Sequence, residues 1–453
     1  MAGEWTTATI GDAFDLVTGY AFKSSDFIDH GVPVIKIKNV KAGEFSEHEF
    51  SYVSDSFLRG RGDKQAKHGD LLVSMSGNRH DGSPETWVGK IAQFRKSGDY
   101  LINQRVGALR LKKNAQVDSR FASYLLSSFS YQELFIAIAT SSGGQANLSP
   151  AQILGAPMRY PDIDSQRAIA HILGTLDDKI ELNRRMNETL EDMARALFKS
   201  WFVDFDPVRA KAEGRDPGLP KQIADLFPAR LVESELGKIP EGWEVATIGQ
   251  VAEVIDCLHS RKPERQESGL PLLQLTNIRD DGLLDMTDTY LINEENYRQW
   301  ISRMEASQGD CLITNVGRVG AVAQIPAGQK AALGRNMTGV RCRRDFPFPT
   351  VLIEALLSSA MKDEMTRKMD TGTILNALNV RNIPRLRFVK PTSDVLALFE
   401  QSCRPIRARM ETLLANSCAI ADLRDTLLPK LISGLLRVRD VDDFLERRQS
   451  LKG

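Results

Sequence analysis

Two apolar rhythms alternate along the chain. Short apolar runs bounded by Gly, Asp or Asn occupy Val34 to Val40, Leu71 to Met75 and Val106 to Leu111, and again Leu272 to Ile278, Cys311 to Thr314 and Gly339 to Arg343. They predict strands. Ser119 to Ala139 and Thr350 to Lys368 follow with helical apolar spacing, so each set predicts a mixed α+β globule with an irregular, mainly antiparallel sheet. The second rhythm comes after each globule. Ile169, Leu173, Leu176, Ile180, Asn183, Asn187, Leu190, Ala194, Leu197 and Trp201 step by four and three, as a heptad seam does. This predicts a long helix from about Ser165 to about Val203, with Asp164 or Ser165 as N-cap and Asp206-Pro207 as its stop. Val395, Phe399, Ser402, Ile406, Arg409, Leu413, Asn416, Ile420, Leu423 and Leu427 predict a second such helix, kinked near Pro405 and ending near Pro429.

The chain also repeats itself. Trp5-Thr-Thr-Ala-Thr-Ile-Gly11 returns as Trp243-Glu-Val-Ala-Thr-Ile-Gly249, and Val32-Pro-Val-Ile-Lys-Ile-Lys-Asn39 returns in the same register as Leu270-Pro-Leu-Leu-Gln-Leu-Thr-Asn277. Gly69-Asp-Leu-Leu-Val-Ser74 matches Gly309-Asp-Cys-Leu-Ile-Thr314, and Leu148, Ile153 and Pro161 match Leu378, Ile383 and Pro391. Matching positions are mostly apolar, Gly or Pro, while the polar stretches between them diverge. A shared scaffold with divergent loops suggests two related sites that read two different targets.

The expected organisation is therefore a globule over 1–162, a central helix over 163–205, a linker over 206–238, a second globule over 239–392, a distal helix over 393–436 and a tail over 437–453. The two seams can pair antiparallel as a coiled coil, with Asn183, Asn187 and Asn416 weakening the contact but setting its register. The competing reading packs each helix on its own globule. A helix of roughly 38 residues is about 57 Å long, and DNA half-sites one turn apart are separated by roughly 34 Å, so such a spacer could hold two readers on one duplex face.

Charge adds no support for nucleic-acid binding, because 59 Lys and Arg balance 59 Asp and Glu. Local loops must carry that case. None of the five cysteines forms a CxxC pair or a recognisable metal-ligand spacing with histidine, so buried reduced thiols are expected and no metal site. No signal-peptide pattern and no run of 18 apolar residues occurs, which points to a cytoplasmic protein without membrane contact. There is no GxxxxGK[ST] loop, no Asn-Pro-Pro-aromatic signature and no HExxH, so neither a catalytic residue nor a cofactor is assigned to this chain.

Phosphate contacts need Lys or Arg, and base edges are read by Arg, Lys, Asn or Gln. Loops offering these among Gly and small polar residues supply Arg59, Arg61 and Lys64, then Asn78, Arg79 and His80, then Gln104 and Arg105 in the first globule. In the second they supply Arg261 and Lys262, Asn315 and Arg318, and Arg335 and Asn336. Gly143 to Asn147 and Thr371 to Asn376 form another corresponding loop pair. Each basic loop has a plainer reading as a solvated turn. Trp201, Phe202 and Phe205, beyond the seam, read either as core or as a docking surface for a partner.

Globule, long helix, globule, long helix resembles the specificity subunit of type I restriction-modification systems. Arg195-Ala-Leu-Phe-Lys-Ser-Trp-Phe-Val-Asp-Phe-Asp-Pro-Val208 resembles the end of that family's central conserved region, and Leu423-Arg-Asp-Thr-Leu-Leu-Pro-Lys-Leu-Ile-Ser-Gly434 the end of its distal one. Asp164-Ser-Gln-Arg-Ala-Ile-Ala170 is similar to the family's lead into its first helix. The resemblance covers nearly the whole chain. It implies two homologous target recognition domains separated by two helices, double-stranded DNA as ligand, and a non-catalytic subunit that docks two modification subunits and, through them, two restriction subunits. S-adenosylmethionine, ATP and Mg would belong to those partners. A coiled-coil scaffold whose globules bind proteins, and a self-contained nuclease or methyltransferase, are the competing functions.

Overall fold

The computed structural model describes residues 5–142, 144–369, 377–441 and 444–445. It divides into two compact units, one made of Met1–Ile180 with Ile420–Gly453 and the other of Glu181–Ala419. Two helices of 40 residues, Ile163–Phe202 (central) and Ser393–Ile432 (distal), each contribute to both units. Among the described residues no helix is long and apolar enough to cross a membrane.

In the first unit an antiparallel sheet runs in the order Phe14–Thr18, Val106–Leu111, Leu71–Ser74, Ile91–Gln93. A second sheet orders Phe27–Ile28, Ser51–Val53, Val32–Ile35 and Leu101–Ile102, with the last pair parallel. The other unit repeats the plan: Ala252–Asp256, Met337–Cys342, Cys311–Thr314, Val322–Gln324 in one sheet, and Tyr290–Ile292, Leu270–Leu273, Lys330–Leu333, Glu305–Ser307 in the next, again with one parallel pair. Terminal strands close each domain, Thr6–Thr9 on Pro157–Tyr160 and Glu244–Thr247 on Arg387–Lys390. The duplicated α+β architecture expected from the repeat is thus present in both halves.

Several polar positions shared by the repeats turn out to be scaffold. The apolar run expected as one strand from Val34 to Val40 stops at Ile35, because Asn39 accepts from the Lys36 N–H at 2.9 Å and donates to the carbonyls of Ser46 and His48, turning the chain into a 3₁₀ helix. Asn277 does the same, accepting from the Gln274 N–H and donating to the Asp285 carbonyl. The buried Asp70 and Asp310 each take a neighbouring backbone N–H and an arginine from the central strand, Arg110 at 3.2 Å and Arg341 at 2.5 Å. Ser128 and Ser358 split each predicted helical stretch in two, giving Ser119–Leu126 and Phe129–Ile138, and Pro349–Leu357 and Ser359–Arg367. The segment 206–238, expected as a linker, contains the helix Asp206–Ala212, a helical turn at Lys221–Ala224 and most of a hairpin over Leu231–Ser234 and Gly237–Pro240.

The central helix begins at Ile163 with Asp162 as its cap, two or three residues before the expected Asp164 or Ser165. The Asp162 carboxylate accepts from the Ser165 N–H at 2.9 Å and the Ser165 hydroxyl at 2.7 Å. Gln166, fully buried, ties the helix to its domain through the carbonyls of Gln116 and Pro161 and the N–H of Asp118. Within the first unit the two helices meet at Asp177 and Arg424, 2.9 Å apart. The Tyr124 hydroxyl also donates to Asp177, and burial together with that carboxylate pushes the tyrosine pKa up to about 12. Within the second unit Asn183 donates to Ser417 at 3.1 Å, Asn187 to the Met410 carbonyl at 3.3 Å, and Phe198 packs on Phe399. Rising numbers on one helix meet falling numbers on the other, so the pairing is antiparallel. The seam of the central helix runs as its spacing predicts. That of the distal helix is shifted by one residue at three positions: Ser402, Arg409 and Asn416 are exposed, and Cys403, Met410 and Ser417 take their places. The distal helix continues through Pro405 and past Pro429 to Ile432.

Arg407 explains why that phase holds. Its guanidinium is 4% exposed, pairs with the 5% exposed Glu354 at 3.1 Å and donates to the Gly282 carbonyl, fastening the distal helix to the second domain. Burial outweighs the pull of Arg407 and holds the Glu354 carboxyl above the usual carboxylate range. Removing one member of a buried pair strands the other charge, at a cost of about 3–5 kcal/mol, whereas replacing both by apolar groups is close to neutral. Arg407→Met should therefore lower unfolding free energy in urea by about that amount, and Arg407→Met with Glu354→Leu should recover most of it. Equal losses in the single and double variants would show that the pair is not coupled.

Candidate nucleic-acid interface

The loops expected to carry recognition in the first domain converge on one edge. Arg61 lies over the Tyr20 ring at 4.4 Å and the Phe57 ring at 5.1 Å, and donates to the Phe57 carbonyl. The Tyr20 carbonyl accepts from the Gln104 N–H at 2.9 Å. The next residue, Arg105, is exposed, and its guanidinium reaches the Gln145 side chain at 3.3 Å. Gln145 stands on the strand Gln145–Asn147, which pairs with Ser76–Gly77, and Ser76 donates to Asn147 at 2.7 Å. Three separate loops and an aromatic–arginine stack thus form one continuous surface.

Whether each side chain on it has donors left over separates the candidates. Asn78 donates to Thr86 at 3.0 Å, Arg79 to the Ala139 carbonyl at 2.6 Å, and His80 sits 2.9 Å from Glu133 and edge-on to Trp87. Lys64 pairs with Asp63 at 3.3 Å. Arg59 and Gln104 are exposed with no side-chain partner among the described residues, and Arg105, with one contact, keeps most of its five donors.

The second domain sorts in the same way. Asn315, 8% exposed, donates to the Leu378 carbonyl at 3.0 Å and accepts from Thr338 at 2.9 Å, so its side chain braces the fold instead of facing a ligand. Arg318 donates to the Ile278 carbonyl at 2.5 Å and pairs with Asp280. Lys262 lies 3.7 Å from the centre of the Tyr290 ring; partial burial, then the neighbouring Arg265, lowers its pKa. Arg261 and Arg335 are exposed and unpaired among the described residues. Asn336 takes a left-handed backbone with φ of +63°, which asparagine tolerates, and its carbonyl accepts from the Asn315 N–H at 2.8 Å. Of the loop pair at Gly143 to Asn147 and Thr371 to Asn376, Gly143 and 371–376 lie outside the described residues.

Two platforms escaped sequence reasoning. Tyr20 and Tyr290 each support a basic side chain, and nothing in their local sequence marks the lysine or arginine that stacks on them, because the partners are tens of residues away. A third feature is a local cluster of donor atoms. Asp256, Cys257 and His259 bring three donor atoms within 4.8 Å of one another, although the Arg303 guanidinium donates to the Cys257 carbonyl at 2.9 Å and stands 3.5 Å from Asp256, where its positive charge opposes a cation. The cysteines are free, and burial pushes the Cys342 and Cys403 thiols up to about 12.

The aromatic patch is not an open docking surface. Trp201, Phe202 and Phe205 are only 5, 5 and 6% exposed, packed around Phe399, Phe227 and Trp243, and Phe202 and Phe205 reach the outside only along the wall of a cleft of about 290 Å³. Aromatic area of this size gains more from the core than from water, and the short helix Asp206–Ala212 turns the chain back over it.

A family model described as type I restriction modification DNA specificity domain matches residues 2–192. The type I restriction enzyme HindI specificity subunit of Haemophilus influenzae is 25% identical over 485 residues, covering 95% of this chain and 99% of the relative. The MjaIX specificity subunit of Methanocaldococcus jannaschii is 23% identical over 330 residues, covering 72% and 71% of the two chains. The crystal structure of a type I restriction-modification S subunit from M. genitalium superposes with a TM-score of 0.56 at 16% identity, over 95% of this chain and 96% of that one. Residues 2–192 thus match the type I specificity-domain family, and along nearly its whole length the chain is similar to type I restriction-modification specificity subunits, whose fold it shares.

Proposed function

We propose that this chain is the DNA-reading, non-catalytic subunit of a type I restriction-modification complex, one domain reading each half of a split, asymmetric site. The observation that carries this reading is the pairing of a conserved scaffold with unlike loops. The two domains share their sheet order, their buried Asp–Arg pair and their Asn-closed turns, yet the corresponding edges present Gln104 and Arg105 in one and Arg335 and Asn336 in the other. Different donors on one frame suit different bases. The proposed partners are double-stranded DNA, two modification subunits and, through them, two restriction subunits, with S-adenosylmethionine, ATP and Mg held by those partners. The coiled-coil scaffold without DNA is not favoured, since exposed cations with spare donors are the feature a duplex needs. Trp201, Phe202 and Phe205 would contribute to docking chiefly by fixing the end of the central helix.

Two measurements test the reading. DNA retention by the full chain should fall steeply as salt rises, with log K declining linearly in log salt by about 0.9 per phosphate contacted; retention that is flat between low and moderate salt would favour the protein scaffold. Exchanging residues 1–162 for those of a relative should change only one half of the sequence bound. A swap that altered both halves would break the assignment of one domain to one half.

A further inference from the structure

We infer that Gln104 and Arg335 are the corresponding base-reading positions of the two domains, Gln104 selecting adenine and Arg335 selecting guanine in the major groove. The inference rests on the DNA-reading function proposed above and adds to it which residues discriminate and for what.

Both residues sit in the middle of the same three-residue crossing. In the first domain Asn103-Gln104-Arg105 joins the strand Leu101–Ile102, paired parallel to Val32–Ile35, to the strand Val106–Leu111 at the middle of the antiparallel sheet. In the second Gly334-Arg335-Asn336 joins Lys330–Leu333, paired parallel to Leu270–Leu273, to Met337–Cys342. The main chain on either side is clamped by the same bonds. The Asn103 N–H donates to the Ile35 carbonyl at 3.0 Å and the Gly334 N–H to the Leu273 carbonyl at 3.0 Å, Ile35 and Leu273 being matched positions of the repeat. On the other side the Arg105 carbonyl accepts from the Met75 N–H at 2.8 Å and the Asn336 carbonyl from the Asn315 N–H at 2.8 Å. In the second domain a Cβ on Gly334 would stand 2.1 Å from the Leu273 carbonyl oxygen.

Between the clamps the middle side chain is exposed and makes no bond to the protein among the described residues. A rigid backbone with an unspent polar side chain is what discrimination requires, because the donor geometry is set before DNA arrives and no internal bond must break. Among the other loop candidates, Asn78, Arg79, Asn315 and Arg318 are each tied to the protein by at least one side-chain bond and Arg105 reaches Gln145, whereas Arg59 and Arg261 keep free donors but lie outside this clamped crossing. The amide of Gln104 offers one donor and one acceptor side by side, complementary to adenine N6 and N7; the guanidinium of Arg335 offers two parallel donors, complementary to guanine O6 and N7. The frame is the same and the code differs.

The test selects bound duplexes from a random-sequence pool with the full chain and its variants. Wild-type protein should enrich a split sequence. Gln104→Arg should convert one position of one half from A to G, Arg335→Gln should convert one position of the other half from G to A, and Gln104→Ala or Arg335→Ala should relax only that position, by roughly 5- to 150-fold in preference. Melting temperatures equal to wild type show that the variants are folded. Variants that enrich the wild-type sequence with unchanged preferences overturn this assignment while leaving DNA reading intact. A wild-type chain that enriches no sequence overturns DNA reading and this assignment together.

Discussion

The contact on which the rest depends is the antiparallel seam between the two long helices. Each unit takes a stretch of both: Ile169, Leu173, Leu427 and Leu431 share one core, and Ala194, Phe198, Phe202 and Phe399 share another. Apolar residues alone would let such helices slide by a turn or swap partners. Asn183 and Asn187 prevent this, since each buried amide finds a donor's partner, Ser417 or the Met410 carbonyl, only in the observed register. Their own carbonyl oxygens have no partner among the described residues, a cost accepted for register.

The domains are then oriented on the helices by polar anchors, each of a different kind. Gln166 bonds three backbone groups at the start of the central helix. Glu400 on the distal helix accepts the N–H groups of Thr350 and Val351, satisfying the buried N-terminus of the helix Pro349–Leu357. Arg407 with Glu354 adds a buried charge pair about two turns further along. Such contacts add little net stability, but wrong packing leaves them unsatisfied, so they exclude alternatives more than they stabilise the chosen one.

How much of this was legible follows from distance along the chain. The repeat and the central seam were readable because they depend on local period and identity. The distal seam differs from expectation at Ser402, Arg409 and Asn416 because a strict four-three rhythm runs on through these polar residues, while the less polar row of Cys403, Met410 and Ser417 lies one residue along. What chooses between the rows is Arg407, whose partners Glu354 and Gly282 are 53 and 125 residues away. The same limit governs the interface. The loops were identified from composition, but the state of their side chains was not, because Arg79 is consumed by Ala139 and Asn315 by Leu378, contacts that span 60 and 63 residues.

That distinction bears directly on specificity. A base edge discriminates by leaving the wrong partner's polar groups unpaired, which costs free energy only if the reading side chain cannot satisfy itself elsewhere. A side chain already bonded to its own backbone loses as much as it gains by turning to DNA, so it tolerates every base. Buried asparagines and paired arginines in these loops therefore set the shape of the frame, and the exposed residues between the clamps set what the frame reads. Divergence can be confined to those few positions without disturbing the fold, because nothing inside the protein depends on them.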